Sequence, residues 1–470
     1  MFALFLIMII RNVTIFIALC CFIYILSTVG SGCAQIVAPT GGPRDTLPPI
    51  LLEADPPNGT LNFKGNRITL SYDEYVQLQK LQENLLISPT PKIAPNIDSK
   101  LKTVTIKIRD TLEANTTYRF DLGNSILDIN ENNPVKNFTY VFSTGPYIDS
   151  LTFSGNVQLA QTGKADTTLL VFLYKDLDDS AVLKQKPNYI TRVNTTGDFR
   201  FHNLPDGIYH VFALKDESGQ RVYNGRDELF AFADSTVSPG DTTKRVKLFA
   251  YAQEKPKAKS TSTGTSASDK KLKYTVSVAS GRQDLLTPLT IEFNRKLKNF
   301  DSLKTQLTDT LFNPYKSAMI SLDTTRKIMI VKNQWQDNTD YKLVIPKDFA
   351  TDTLGTELPK SDTIRFKTKK ESDYGSIKIT FKNLEKFKNP VLQFVTNNEV
   401  ANSYPLTSSL WSVKLFNPGD YELRILDDLN QNGVWDPGNY HLKLQPEKAY
   451  AIPQKINIRA DWENERDIIL

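Results

Sequence analysis

Polar and apolar residues alternate in short runs over most of the chain. Ile68, Leu70 and Tyr72 alternate with polar neighbours, and residues 103–108 and 138–142 repeat the pattern. A period of two, carried by β-branched and aromatic residues, predicts strands with one buried face. Clusters of Asn, Gly, Pro and Asp separate the runs, so we expect short strands packed into sandwiches. Helical patterning is scarce, and its best candidate covers residues 75–86.

The spacing of the predicted strands and turns changes along the chain, and these changes predict its domain organisation. Residues 254–268 are rich in Lys, Ser and Thr and hold no large apolar residue, which predicts a flexible linker. The predicted segments are a signal peptide (1–32), a tether (33–45), a first sandwich (46–146), a second type of sandwich (147–250), the linker (251–273) and divergent copies of both sandwiches (274–370 and 371–470).

Two short motifs indicate that the two-domain unit is duplicated. Gly207-Ile208-Tyr209 recurs as Gly419-Asp420-Tyr421, and Val222-Tyr223-Asn224 recurs at the same offset as Val434-Trp435-Asp436. A constant offset needs no gap between the motifs, so an internal repeat is the simplest explanation. The fold class predicted from these patterns is all-β, with tandem sandwiches used twice.

Two family resemblances refine this picture. Asp45-Thr46-Leu47-Pro48-Pro49, the strand that ends in Asp73-Glu74 and the closing Phe142-Ser143-Thr144-Gly145 resemble the SbsA-type bacterial Ig-like domain of Bacteroidetes lipoproteins. Residues 274–370 resemble it more weakly. The run from Gly197 to Tyr209 is similar to transthyretin-like or carboxypeptidase-regulatory domains, and residues 375–470 look like a divergent copy. These resemblances imply structural and ligand-presenting modules, although a fold does not fix a function.

The N-terminus has the features of a secretory signal. Residues 2–26 are almost wholly apolar, broken only by Arg11 and Asn12, and small residues follow. Ser31-Gly32-Cys33 resembles a bacterial lipobox, although Gly30 stands where Leu, Val or Ile is usual. The resemblance predicts a lipid on Cys33 and an anchor in the outer membrane. The open alternative is an uncleaved transmembrane anchor, because the apolar stretch is long enough to span a bilayer.

Composition limits the classes of partner. Cys20 and Cys21 lie in the predicted signal peptide, so lipidation of Cys33 would use the one remaining thiol and leave no disulfides. A net charge of +5 on 470 residues gives no reason to expect nucleic acid. Surface-exported lipoproteins of the Bacteroidetes often carry acidic residues just after the lipidated cysteine. Here the first is Asp45, which favours the periplasmic face.

One motif has the spacing of a cation-binding loop. Residues 428–436 place oxygen side chains at alternate positions with Gly433 sixth, as in the first half of an EF-hand loop. Asn439 stands where a bidentate Glu is expected, so we predict weak Ca²⁺ binding. The alternative is a β-turn closed by Trp435. The predicted ligands are Asp428, Asn430, Asn432, Val434 and Asp436. The equivalent loop, residues 216–221, has lost the pattern and is predicted to be a turn.

A second motif recurs along the chain. Asp, then Ser or Thr, then an aliphatic residue is similar to the O-glycosylation sequon of secreted Bacteroidetes proteins. The alternative is turn chemistry, because Asp and Thr favour the ends of strands. The candidate acceptors are Thr111, Ser150, Ser302, Thr310, Thr353 and Thr363.

Catalysis has little support in the sequence. The three histidines have no cysteine partner and no nucleophile elbow beside them, and adjacent strand carboxylates such as Asp73 and Glu74 point to opposite faces. We therefore expect a non-enzymatic scaffold of the cell envelope. The alternatives are an accessory subunit of an outer-membrane β-barrel machine and a carbohydrate-binding module. A glycan binder should expose an aromatic platform, for which the candidates are Trp335, Trp411 and Trp435.

Overall fold

The computed structural model describes residues 2–29, 44–240, 245–253, 271–278 and 280–470. Helix α1 (Phe2–Val29) contains most of the predicted signal peptide. Within the described residues, no helix combines the length and the hydropathy needed to span a membrane. Cys33, almost all of the tether and most of the predicted linker lie outside the described residues.

The remaining described residues form four β-sandwiches in chain order, so the all-β fold with tandem domains is confirmed. Alternating residues of many strands face a core, as in β2, where Ile68, Leu70 and Tyr72 are buried. The strands of the first sandwich are β1 (Leu51–Asp55), β2 (Arg67–Tyr72), β3 (Val76–Leu78), β4 (Leu86–Ser88), β5 (Asn96–Lys100), β6 (Thr103–Lys107), β7 (Thr117–Gly123), β8 (Ile126–Asp128) and β9 (Phe138–Ser143).

The helix expected over residues 75–86 is mostly wrong. The structure has strand β3 there, followed by the single turn α2 (Leu81–Asn84). Val76 is buried in the sandwich core, and β3 pairs with β8. Tertiary pairing therefore overrides a weak helical pattern.

The second sandwich packs one three-stranded sheet on one four-stranded sheet. The short helix α3 (Ala181–Lys184) follows its second strand. Its strands are β10 (Leu151–Leu159), β11 (Leu170–Tyr174), β12 (Tyr189–Arg192), β13 (Asp198–Leu204), β14 (His210–Leu214), β15 (Phe230–Phe232) and β16 (Val246–Ala250).

The third and fourth sandwiches follow in the same way, with 3₁₀ turns at Ser302–Lys304, Glu371–Asp373 and Leu384–Lys386. The strands of the third are β17 (Tyr274–Val276), β18 (Arg282–Gln283), β19 (Leu289–Phe293), β20 (Leu297–Phe300), β21 (Gln306–Thr308), β22 (Met319–Leu322), β23 (Ile328–Lys332), β24 (Asp340–Ile345), β25 (Ala350–Asp352) and β26 (Asp362–Thr368). Those of the fourth are β27 (Gly375–Lys382), β28 (Pro390–Thr396), β29 (Glu399–Pro405), β30 (Leu410–Phe416), β31 (Gly419–Asp427), β32 (Lys448–Ile458) and β33 (Glu463–Ile469).

Strand order repeats between the two halves. The sheet β1-β2-β6-β5 of the first sandwich has the order of β17-β19-β23-β22 in the third. The sheets β13-β10-β16 and β12-β11-β14-β15 of the second match β30-β27-β33 and β29-β28-β31-β32 of the fourth. The parallel pair β10–β16 recurs as β27–β33. Two copies of one two-domain unit therefore make up the described fold.

The second and fourth sandwiches dock directly on each other. The loop between β31 and β32 lies over the outer face of the four-stranded sheet of the second sandwich, where Tyr440 packs among buried aromatic side chains. At the edge of β32, the Ala449 amide donates to the Ala160 carbonyl at 2.7 Å. A salt bridge of 2.6 Å joins Lys164 to Glu422. A backbone hydrogen bond, aromatic packing and an ion pair thus connect the two copies.

Candidate functional site

The loop after β31 is built around the buried carboxylate of Asp428. One oxygen accepts the Gln431 and Asn432 amides at 2.7 and 3.2 Å, and the other accepts the Gly433 amide at 2.7 Å. Gly433 has a φ of 78°, in the left-handed region that glycine adopts without strain. The motif therefore forms a tight turn whose backbone donors close on one side chain.

The three other polar side chains predicted as ligands lie together on the outside of that turn. The Asn430 and Asn432 side-chain nitrogens donate to one oxygen of Asp436 at 2.6 and 2.7 Å. Their side-chain oxygens accept the backbone amides of Asn432 and Val434 at 3.0 and 2.7 Å. A cation would require both amide groups to turn so that oxygen, not nitrogen, faces inward.

Glu447 is an acidic partner of this loop that the sequence spacing did not reveal. It is 5% exposed, and its carboxylate accepts the Leu429 amide at 2.7 Å and the Asp436 amide at 3.1 Å. Burial raises the pKa of Glu447, and the nearby charge of Asp428 raises it further. Glu447 immediately precedes β32, so tertiary folding alone brings it to the loop.

The equivalent loop of the second sandwich keeps the turn without the ligand set. Asp216 accepts the amide of Arg221 at 2.9 Å, as Asp428 accepts that of Gly433, and Arg221 has a φ of 60°. The positions equivalent to Asn430 and Asn432 are Ser218 and Gln220. The turn alone therefore does not require the amide pair of the fourth sandwich. Within the described residues, no group of three or more His, Cys, Asp or Glu side chains is arranged to hold a metal, so Ca²⁺ binding stays a prediction.

The structure separates the six glycosylation candidates into two groups. In the third sandwich, Asp301, Asp309 and Asp352 each accept the amide two residues ahead, at 3.0, 2.8 and 2.8 Å. The leucines that follow Ser302, Thr310 and Thr353 project into solvent and are 87, 78 and 76% exposed. Packing within the described fold does not explain three leucines at such exposed turns.

The other three candidates lie where the third residue packs inward. Leu112, Leu151 and Ile364 are partly buried against the cores of their sandwiches. The two groups therefore differ in the exposure of the third residue of the motif, and glycosylation of all six candidates stays a prediction. Sequence alone could not separate the two groups, because both carry the same tripeptide motif.

The histidines and paired carboxylates do not form a catalytic arrangement in the described residues. His202 has a lowered pKa, first because of desolvation and then because of Arg119 and Arg200. Desolvation raises the pKa of Glu74, and neighbouring acids, Asp128 foremost, add to it. Asp73 instead accepts the Ile50 amide at 2.8 Å.

The three tryptophans proposed as a sugar platform are half-buried. Trp335 packs edge-on against Tyr341 and Phe366, and its Nε1 donates to the Thr287 carbonyl at 3.0 Å. Trp411 lies against the core of the fourth sandwich. The Nε1 of Trp435 donates to the Glu447 carbonyl at 2.7 Å. All three side chains are held by contacts with neighbouring residues, and the sugar-binding alternative stays a prediction.

Comparison with solved structures finds low-scoring resemblances. The chain is similar to BcpA, the major pilin subunit of Bacillus cereus, with 11% identity, a TM-score of 0.17 and coverage of 68% of this chain and 99% of that one. The S-layer protein rSbsC has 12% identity, a TM-score of 0.15 and coverage of 89% of this chain and 54% of that one. Native α2-macroglobulin from Escherichia coli has 10% identity, a TM-score of 0.19 and coverage of 39% of this chain and 72% of that one.

Comparison with sequences places one of the four sandwiches in a family. No curated protein matches the chain. A family model described as Bacterial Ig-like domain matches residues 45–144, which contain all nine strands of the first sandwich. The resemblance of the second sandwich to transthyretin-like domains stays a prediction. Residues 45–144 are therefore a bacterial Ig-like domain, as their motifs predicted.

Proposed function

We propose that this protein is a non-catalytic scaffold of the cell envelope, anchored in the outer membrane by a lipid on Cys33. The observation that carries the proposal is the docking of the second sandwich on the fourth. This contact ties the two copies into one unit, whereas tandem domains joined only by linkers move independently. A unit of fixed spacing suits a protein that holds a partner or a surface at a set distance from the membrane.

The surface of the third sandwich supports a role in presentation. Its turns expose Leu303, Leu311 and Leu354, and Met319 is 67% exposed. Isolated apolar residues are ordinary on protein surfaces, but several on the turns of one domain fit recognition by another macromolecule. In the proposed scaffold the third sandwich carries the surface that a partner recognises, and the docked second and fourth sandwiches hold it in place.

The test is purification of the tagged full-length protein from solubilised outer membrane, with mass spectrometry of the bait and its partners. Cys33→Ser is the control, because it keeps the chain and removes the acceptor thiol. A lipidated bait without a stoichiometric partner supports the free-standing scaffold. A stoichiometric β-barrel would instead make the protein an accessory subunit. An intact, unlipidated N-terminal peptide would overturn the outer-membrane assignment.

A further inference from the structure

One end of the first sandwich concentrates carboxylates around Glu74. Desolvation raises the pKa of Glu74, and the charges of four neighbouring acids raise it further: Asp128, Asp73, Asp45 and Glu131. Two cations lie at the same end. Arg44 donates to the Glu131 carbonyl at 3.2 Å, and the Lys102 ammonium donates to the Asp73 carbonyl at 2.6 Å. Five carboxylates therefore stand beside two cations, and we call this surface the acidic end.

The loops of the acidic end also expose large apolar side chains. These side chains are between 48 and 66% exposed: Leu47, Ile50, Tyr75, Leu101 and Ile129. Hydrogen bonds show that the loops meet. The Ile50 amide donates to the Asp73 carboxylate at 2.8 Å, and the Ile129 amide donates to the Tyr75 carbonyl at 3.1 Å. Exposed apolar residues gathered at one place mark an interaction surface.

The third sandwich carries a groove of opposite charge. The groove has a volume of about 340 Å³ and lies over the paired strands β24 and β26. Tyr341 and Phe366 of these strands belong to the core, so their neighbours Lys342 and Arg365 lie on the outer face. The other charged lining residues are Lys367 and Asp340, which are 3.9 Å apart. Three cations therefore face one carboxylate, and we call this surface the basic groove.

A turn holds two apolar side chains beside the basic groove. Thr310 lines the groove, and the next two residues, Leu311 and Phe312, are 78 and 55% exposed. The Lys342 ammonium donates to the Thr310 carbonyl at 2.7 Å and lies 3.8 Å from the centre of the Phe312 ring. Phe312 has a φ of 66°, which bulky residues rarely adopt. Strained residues of this kind are concentrated at binding sites, where the surrounding structure keeps them in place.

We propose that the acidic end of one molecule docks in the basic groove of a second copy of the same chain. Charge complementarity selects this partner, and both surfaces add exposed apolar side chains to the charges. An anionic lipid surface would match the groove alone, whereas a second copy matches both surfaces. The inference names the partner of the third sandwich and rests on that part of the proposed function, but not on the lipid at Cys33.

The two surfaces belong to different domains, so the contact is heterologous. Each docked pair leaves one acidic end and one basic groove free. Further copies can therefore add to the pair, and they form a closed ring or an open chain according to the rotation between neighbours. A scaffold with this contact would repeat its fixed unit across a surface.

Sedimentation velocity of the full-length chain in a nonionic detergent tests the proposal. The chain is produced without glycans, because Thr310 lines the groove. We expect the sedimentation coefficient to rise with protein concentration at low salt. The rise should vanish in about 1 M NaCl, where the screening length is about 3 Å. The detergent contributes equally to every variant, so differences between variants report the contact.

Two double variants reverse the charge of one surface each. The acidic-end variant is Glu74→Lys with Glu131→Lys, and the groove variant is Arg365→Glu with Lys367→Glu. Each should weaken association about tenfold or more. The control is Lys382→Glu with Lys414→Glu, at exposed positions of the fourth sandwich, which changes the net charge as much as the groove variant does.

Mixing the two double variants is the decisive arm. Neither should associate by itself, but an equimolar mixture should, because the intact groove of one meets the intact acidic end of the other. Misfolded variants could not restore association in this way, and circular dichroism of each variant checks its fold independently.

Association restored in the mixture and unchanged in the control supports the proposal. It would be overturned if the wild type did not associate, if all variants associated equally, or if mixing restored nothing. Flotation of monomeric protein with phosphatidylglycerol vesicles, lost in the groove variant, would assign the groove to a lipid surface and would also overturn it. The pull-down reads the lipid on Cys33 separately, so either proposal can fail while the other stands.

Discussion

The hydroxyl of Tyr440, in the fourth sandwich, donates a hydrogen bond of 2.7 Å to the carbonyl oxygen of Asp179, in the second. Its ring contacts Phe212, Phe230 and Phe232, with centroid distances of 5.7, 5.2 and 5.2 Å. One side chain thus joins two domains that are far apart in sequence.

We expect Tyr440→Ala to destabilise this contact by about 3–5 kcal/mol, because it removes a buried aromatic ring. Tyr440→Phe should cost about 1 kcal/mol, since it removes the hydroxyl alone. Urea denaturation of the full-length variants measures both. The control is Tyr147→Ala, at a residue that is 59% exposed. Equal midpoints for Tyr440→Ala and Tyr147→Ala would contradict the prediction.

A buried arginine in β31 should lower the free energy of unfolding of the protein. Arg424 is 2% exposed, and its Nε and Nη2 have no hydrogen-bond partner among the described residues. Desolvation lowers its pKa, while the charge of Glu422 acts in the opposite direction. Arg424→Met should therefore stabilise the protein by about 1–4 kcal/mol. Lys414→Met, at an exposed site, is the comparison, and a lower denaturation midpoint for Arg424→Met would refute the reasoning.

Glycosylation, if it follows exposure of the third residue of the motif, should be confined to three turns of the third sandwich. We expect glycan on Ser302, Thr310 and Thr353, and none on Ser150 or Thr363. Intact glycopeptide mass spectrometry of protein from its native envelope measures occupancy at each site. Leu303→Lys should lower occupancy at Ser302 without affecting Thr310, because Leu303 is exposed and makes no core contact to lose. Similar occupancy at all six sites would mean that exposure of the third residue does not select them.

Calcium should stabilise the fourth sandwich weakly. With a dissociation constant of about 1 mM, typical of extracellular modules, about 10 mM Ca²⁺ would add about 1.4 kcal/mol to the free energy of unfolding. Asp436→Asn should abolish the gain, because it removes the half-buried charge on the outside of the turn. Asn224→Asp, at the equivalent position of the second sandwich, is the control. If Asp436→Asn kept the full gain in the free energy of unfolding, the cation would have to bind outside this loop.

Glu447 gives this loop a pH dependence of known sign. Its folded pKa is raised, so the folded state binds more protons than the unfolded state between the two pKa values. Its contribution to stability should therefore fall as pH rises from its ordinary pKa through the raised one. Glu447→Gln should remove that fall, and Ca²⁺ should reduce it by favouring the carboxylate. Denaturation of wild type and variant across this range measures the difference. Identical profiles would show that Glu447 does not titrate in this way.

The sequence predicted what depends on local pattern. The alternation through Ile68, Leu70 and Tyr72 identified a buried face correctly, because side chains on a strand alternate whatever surrounds them. The repeated Gly-x-Tyr motifs indicated the duplication, and both tyrosines make the same bond: Tyr209 to the Pro205 carbonyl and Tyr421 to the Asn417 carbonyl.

Features that depend on distant contacts were missed. Glu447 joins the loop of Asp428 only because β32 returns beside β31, and no spacing rule links the two residues. The docking of the second sandwich on the fourth was also beyond prediction, since the two are separated by a whole sandwich in the chain. For Trp435 the sequence left open whether it closes the turn or joins a sugar platform; its indole donates to the Glu447 carbonyl and so holds the loop against β32.

The cover that the fourth sandwich provides over Phe212, Phe230 and Phe232 has a consequence for the ancestry of the chain. A gene shortened to its first half would not encode a smaller version of this protein, because its product would expose an aromatic sheet face and tend to aggregate. Duplication therefore did more than lengthen the molecule. It left the aromatic face of the second sandwich dependent on the fourth for its cover, so the first half should not stay soluble by itself.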